Sequence, residues 1–433
     1  MENNTKWGGF FALVTIAYRN IWRNMRRTIF CISAVAIAVF FLVFMQAMMA
    51  GMINNMEEVV RVFDTGHVNV VSAEYEMEKE YLPVQFPISY PAGDGENNGD
   101  VISVTELESR ACGIPGVKAA LPRITTIATL EDSTIKHALL WGIKVNEELA
   151  LNNFNLTDRT SGLVEGRFPE FDSNECAVGV RMAEKAGFKI GDRVPLKTIS
   201  AQFSDKMWSP VITGIFKFDY LKYDEDAIIV DFNRLQRLLV LGEGTQQLFI
   251  YGDDSSQSRA IAREVRTLLG EEIVVQDWRD NYFVAIMQQS MMIMMVVALT
   301  FLIVASFLIV NTVVMIIHER VKEIGMMGSL GMTRAEIVRV FFFEAVFLSV
   351  LGSLAGCLVG GISTFILSFF PIDFNAMMGG GFKEFPVAGT IIFAFDPAIL
   401  LQGFIFGVVT ASICTLIPSL KSAFVEPVEA LRR

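Results

Sequence analysis

His318-Glu-Arg-Val-Lys-Glu-Ile-Gly-Met-Met-Gly-Ser-Leu-Gly-Met-Thr-Arg-Ala-Glu-Ile-Val-Arg-Val-Phe-Phe-Phe-Glu344 is a short charged island between two long apolar runs, and its reading decides how the chain is built. Apolar runs of roughly 20 residues cross a bilayer. A link this short therefore holds two antiparallel spans side by side and presents one compact surface at a single membrane face. That surface mixes charge with apolar bulk: Glu319, Arg320, Lys322, Glu323 and Arg334 stand among Ile324, Met326, Met327, Leu330 and Met332. Gly325, Gly328 and Gly331 divide it into short pieces, and Thr333 with Glu336 has the capping-box spacing that restarts a helix. A helical turn carrying Met and Ile beside charges suits a groove on a soluble partner; a plain solvated loop is the alternative.

Outward from this elbow, residues 281–317 stay uncharged for more than one membrane thickness, so this span is expected to project as a stalk on the outer side. Residues 28–56, 344–372 and 397–420 supply three further apolar runs, giving four spans. The first is too long for the apolar core of a cleavable signal, which runs ~7–15 residues, and reads as an uncleaved signal-anchor. Before it, residues 1–27 form an interfacial amphipathic helix, with Trp7, Phe11, Val14, Tyr18, Ile21, Trp22 and Met25 on one side and Arg19, Arg23, Arg26 and Arg27 largely on the other. An amphipathic helix in solvent is the alternative. Arginine and lysine cluster before the first run, in the elbow (318–343) and in the tail (421–433), whereas the link 373–396 has Lys383 as its sole basic residue. By the positive-inside rule the elbow and both termini are cytoplasmic, and residues 57–280 lie outside.

Composition agrees with a hybrid. The 433 residues are 52% hydrophobic, and the mean hydropathy of +0.44 is too high for an ordinary soluble enzyme. The net charge of −11 argues against a nucleic-acid partner. The outer segment reads as mixed α+β: strands at 67–71, 177–180, 211–218, 227–230, 248–251 and 272–275, a hairpin of 118–130 with 134–144, and helices at 181–187, 231–239 and 258–269. Residues 83–100, rich in Pro, Gly and acids, read as an exposed flexible loop. Cys112 and Cys176 fall in this segment and could pair if it is extracytoplasmic.

Two further patterns lie in the spans. Gly352/Gly356/Gly360 and Gly403/Gly407/Ala411 have the four-residue spacing that lets helix backbones approach, so the third and fourth spans are expected to pack on each other. Phe40, Phe44, Met48, Met291, Met295 and Phe301 make the first two spans broad and deformable, a candidate surface for acyl chains; ordinary lipid-facing surface is the alternative.

The elbow's Glu-Arg-Val-Lys-Glu-Ile-Gly-Met-Met-Gly-Ser-Leu-Gly-Met, with Arg334, Ile337 and Phe343-Glu344-Ala, resembles the signature of ABC-transporter permeases of the FtsX/MacB type. In that family it is the coupling helix that sits on a separate ATP-binding subunit. Gly66-His-Val-Asn-Val with Tyr75, Ile114-Pro-Gly-Val-Lys with Pro122-Arg123, Glu165-Gly-Arg-Phe, Gly187-Phe-Lys-Ile-Gly-Asp and Gln236-Arg-Leu-Leu are similar to the MacB-like periplasmic core, nearest its lipoprotein-releasing, Lol-type branch. The resemblance implies a helical inner-membrane protein with four transmembrane helices and a large α+β extracytoplasmic domain. It also implies a second permease chain, identical or homologous, two ABC ATPase subunits, lipoprotein cargo and a periplasmic carrier. Efflux of amphiphiles or peptides, and mechanotransmission to a cell-wall hydrolase, remain alternatives.

The chain has no G-x-x-x-x-G-K-[ST] loop, so ATP and Mg are expected on the partner subunit and no cofactor on this one. His67, His137 and His318 are scattered, and His318-Glu319 lacks a second His four residues on, so neither a metal site nor an enzymatic centre is expected. Glu344, at the inner entrance of the third span, is expected to pair with an elbow arginine; a proton or substrate role is the alternative.

Overall fold

Apolar runs become helices where nothing interrupts the backbone ladder, and four long helices result: Met25–Val59, Tyr282–Glu319, Arg334–Leu367 and Pro397–Ser422. Each contains a stretch long and apolar enough to cross a membrane. The structure is a computed structural model describing residue 15 and residues 25–89, 100–130, 135–155, 158, 160–270, 273–319, 326, 329, 331–370, 372–373 and 390–422. The amphipathic helix expected over residues 1–27 therefore lies almost wholly outside the described residues. At 1.5 Å per residue the 38-residue second helix is about 57 Å long, well beyond a hydrocarbon core of roughly 30 Å. The third helix begins at Arg334, ahead of its apolar run, because the capping box forms: Glu336 N donates to Thr333 Oγ1 (3.4 Å) and Thr333 N donates to Glu336 Oε2 (2.8 Å).

The chain divides into two compact units. One comprises Met1–Gly51, Gln289–Pro371 and Ile392–Arg433 and is helical; the other comprises Met52–Gln288 with Ile372–Ile391. In the helical unit the first, third and fourth helices share a core of Val35, Val39, Val43, Ile337, Phe341 and Ala411.

The second unit is built on one mixed sheet. In chain order its strands are β1 (Val68–Ser72), β2 (Val117–Leu130), β3 (His137–Ile143), β4 (Leu163–Gly166), β5 (Glu175–Gly179), β6 (Leu196–Ile199), β7 (Asp205–Trp208), β8 (Val211–Phe216), β9 (Ala227–Asp231), β10 (Gln247–Gly252) and β11 (Ile273–Asp277). They run β11-β1-β10-β2-β3-β9-β5-β8-β4, with the β6/β7 hairpin attached to the far end of β2. The β3/β9 and β5/β8 pairs are parallel and the others antiparallel. Helix Ser258–Leu269 shows why the layers close: Ile261, Ala262, Val265 and Leu269 recur on one face and are buried, while Arg259, Arg263 and Arg266 face solvent.

One expectation needs correction, and one pairing that the sequence left open is decided. The start of the 83–100 segment is not an exposed loop: Val84 and Ile88 are buried, Ile88 N donates to Thr245 O, and Gln246 Nε2 donates to Pro83 O. Residues 90–99 lie outside the described ones. Cys112 and Cys176 do not pair, because both are free thiols, one exposed at the end of helix Val104–Cys112 and the other buried in β5.

Candidate functional site

Three places could carry function in a protein of this plan: the elbow, the packed helices, and the points where the first two long helices enter the mixed unit. At the elbow, Glu319 closes the second helix, Met326 is exposed, Ser329 Oγ donates to Met326 O (2.8 Å), and Arg334 is exposed. Gly331 has φ +97°, a conformation side-chain-bearing residues rarely adopt, just before the capping box. Met332 is half-buried against the three-helix core, so it belongs to the fold and not to a docking face. Arg320, Lys322, Glu323, Ile324, Met327 and Leu330 lie outside the described residues.

The glycine rows meet a different neighbour from the one expected. The third and fourth helices do pack together, yet a Cβ on Gly352 would stand 2.6 Å from Val35 Cβ, and one on Gly356 2.6 Å from Ala36 O. One on Gly360 would stand 3.1 Å from Val43 Cγ1, and one on Gly403 2.6 Å from Val43 Cγ2. All of these contacts lie on the first helix. Gly407, on the fourth helix, also meets the third, at Ser353 Oγ, besides Val39. Both rows thus let the first helix nest between the other two, and spacing within one span could not say which partner it faces. Glu344 is buried on the third helix.

The proposed acyl-chain residues differ in exposure. Phe40, Phe44 and Met48 are half-buried, and Phe44 is committed to Phe393, with centroids 5.0 Å apart. Met295 and Phe301 are exposed, and Phe301 stacks on Phe41 (6.0 Å). The side chain of Met291 lies outside the described ones.

The entry of the first helix into the mixed unit is a buried polar site. Met25–Val59 runs on into a π-turn, Val60–Thr65, that Gly66 ends at φ +64°. His67 N, which a continuing helix would direct back to Phe63, donates instead to Ile250 O (3.0 Å). The freed Phe63 carbonyl accepts from Arg123 Nη1 (3.2 Å) and from Tyr223 Oη (3.3 Å). Arg123 is itself fully buried and held by a fully buried Glu148 through two bonds, Nε to Oε1 (2.6 Å) and Nη2 to Oε2 (2.8 Å). Nη2 also donates to Tyr251 Oη (3.0 Å), Asn152 Nδ2 donates to Glu148 Oε2 (3.0 Å), and the guanidinium lies 4.1 Å from the Phe249 ring centre. Burial pushes the Tyr223 and Tyr251 phenols upward in pKa, so both keep their protons. The Phe63 ring, 3% exposed, sits in a socket of Tyr223 (4.7 Å), Tyr220 (5.4 Å), Phe218 (5.5 Å), Trp141 (5.9 Å) and Phe154 (6.2 Å).

The second helix leaves from β11 through a short turn, Trp278–Asp280. Asp277 organises it: Oδ1 accepts from Arg279 N (2.8 Å), and Oδ2 from Ser258 Oγ (2.7 Å) and Arg279 Nη1 (3.3 Å). Trp278 packs with Val60 and Val284, flanked by the guanidinium groups of Arg279 (4.7 Å) and Arg61 (5.7 Å). Tyr282, the first residue of the helix, is exposed. Neither entry point was identified from the sequence, whose one pointer was an Arg, a Glu and several aromatics inside otherwise strand-like or helical runs. Among the described residues no three His, Cys, Asp or Glu gather into a metal site.

Residues 28–268 match the MacB-like periplasmic core domain, and residues 295–427 match the FtsX-like permease C-terminal region. The chain is 22% identical over 335 residues to the lipoprotein-releasing system transmembrane protein LolC of Xylella fastidiosa (strain 9a5c), covering 73% of this chain and 78% of that protein. It is 31% identical over 137 residues to the macrolide export ATP-binding/permease protein MacB of Agrobacterium fabrum, covering 32% of this chain and 18% of that one. Among solved structures, the extracellular domain of the noncanonic ABC-type transporter YknZ from Gram-positive bacteria matches with a TM-score of 0.30 and 17% identity, over 43% of this chain and 97% of that chain.

Proposed function

This chain belongs to the MacB-like periplasmic core domain family, and from that premise we propose that it is the permease subunit of an ABC transporter releasing lipid-anchored proteins from the outer leaflet of the cytoplasmic membrane. As an ABC permease it works with an ATPase subunit. In this reading two such chains pair, identical or homologous, two ATPase subunits bind ATP and Mg beneath the membrane, and the elbows receive their motion. Both termini are cytoplasmic, and the mixed domain faces outward to cargo and a soluble carrier. The observation that carries the lipoprotein assignment is the likeness to the lipoprotein-releasing LolC, which extends over 78% of that protein's length.

The test uses the full chain in nanodiscs with the ATPase it co-purifies with, and a dye-labelled triacylated lipopeptide as probe. Retention of the probe and its release on adding ATP supports the reading. A complex that ignores the lipopeptide but whose ATPase responds to a macrolide overturns the lipoprotein assignment in favour of efflux. Orientation has its own probe in the exposed thiol of Cys112. An impermeant maleimide should label it from the outer side of intact spheroplasts; labelling only after lysis overturns the topology.

A further inference from the structure

We infer that the π-turn Val60–Thr65, with Phe63 seated in its aromatic socket and its carbonyl clamped by the Arg123–Glu148 pair, is the joint through which displacement of the first long helix is carried into the sheet. The inference rests on reading the chain as a transporter's membrane subunit, and it assigns the load path to named groups. A buried ion pair is weak evidence of a stabilising role, since apolar residues of similar volume often serve stability as well or better. What apolar residues cannot do is hold a backbone carbonyl. Arg123 does so at the end of a helix, where a positive charge meets the negative pole of the helix dipole.

The clamp also reaches widely. Arg123 lies on β2, paired with Gln247 of β10 and Ile143 of β3. Glu148 brings in helix Val145–Leu151, and Tyr251 brings in β10 a second time. Tyr220 and Tyr223 bring in the segment leading to β9. A push, pull or twist at Phe63 is therefore met by five separate elements. The packed rings and the bidentate pair leave it no soft rotamer to escape into. The helix stops at Gly66, and that stop leaves free the carbonyl that the clamp takes.

The test compares the wild type with the double variant Arg123→Met/Glu148→Leu, which removes the clamp without stranding a buried charge, and with Phe63→Leu. Hydrogen exchange is measured on the full chain in nanodiscs, first alone and then with its ATPase. In the chain alone, exchange over residues 52–65 should rise at least tenfold in the double variant while β9 amides stay unchanged. No rise there overturns the joint, and so does an equal rise throughout, which would mark a general unfolding. With ATPase and ATP plus vanadate, the wild type should show altered exchange in the mixed domain, and both variants should lose that response while ATP hydrolysis, measured without vanadate, continues. A domain response that survives in the double variant overturns the inference and leaves the transporter reading intact. A wild type without any nucleotide response overturns the transporter reading and with it the load path.

Discussion

The end of the first long helix is gripped on every side, whereas the start of the second hangs from the rim of the sheet. Phe63 lies among five rings, and its carbonyl accepts from two buried donors on separate elements. Asp277, by contrast, ends a strand whose sole sheet neighbour among the described residues is β1, and the bonds that fix the following turn come from nearby residues such as Ser258 and Arg279. Two helices of similar apolar character thus have unlike attachments: one is continuous with the domain's interior, the other with its border. Stiffness is set where a helix ends, not along its length.

Substitutions can break this contrast or sharpen it. The largest effect is expected from Glu148→Ala, which leaves the Arg123 guanidinium buried without its carboxylate; such losses run ~3–5 kcal/mol. Thermal and urea unfolding of the full chain in nanodiscs would read it. A loss below about 1 kcal/mol would mean that the first attachment holds without the pair, and the contrast would fail.

Next comes a pH dependence. Asp224 accepts from Phe218 N (2.7 Å) on the wall of the socket, and burial, only partly offset by that bond, pushes its carboxyl up to about 7. The unfolded chain releases this proton near pH ~4, so between there and the folded value the native state binds more protons than the unfolded one. Stability contributed by this residue is therefore complete at low pH and declines as pH rises towards 7. The decline is on the order of 2–4 kcal/mol, with no further loss above that window. Asp224→Asn should flatten the profile of unfolding midpoint against pH between 5 and 8; an unchanged slope would place the titration elsewhere.

A smaller change is expected at the second attachment. Arg279→Ala removes bonds made by a partly exposed guanidinium to Asp277, whose carboxylate keeps its bond from Ser258, and should cost about 1 kcal/mol, with faster exchange confined to residues 278–286. Losses as large as those of Glu148→Ala would erase the asymmetry. The smallest effect belongs to Tyr282→Ala, within about 0.5 kcal/mol because the side chain is mostly in solvent. The unfolding midpoint should not move, and a clear shift would reveal a buried role for this residue.

The sequence was legible where a pattern repeats locally. Strand alternation gave β1, β5, β8, β9, β10 and β11 within a few residues, and the Thr333/Glu336 box marked a helix start that the structure shows. It was opaque where meaning depends on a distant partner. Arg123 and Glu148 stand 25 positions apart, on a strand and a short helix, and no periodicity links them. Phe63 lies beyond the span read at 28–56 and nothing in the local pattern singles it out. The glycine rows announced close packing but not its object, because a notch records only that something fits there. Val84 and Ile88 were hidden by their Pro-rich and acidic surroundings, which describe the segment's average and not its buried points.

One register pairing fixes what the domain can withstand. Val68, just after the first helix's turn, sits opposite Asp277, just before the second helix's turn, as the first rung of the β1/β11 ladder. Antiparallel rungs lie across the strands, so drawing the two helices apart would open them one at a time, like a zip. Sliding one helix past the other along the strand direction would strain all the rungs at once. The unit should accordingly yield to spreading long before it yields to a piston stroke.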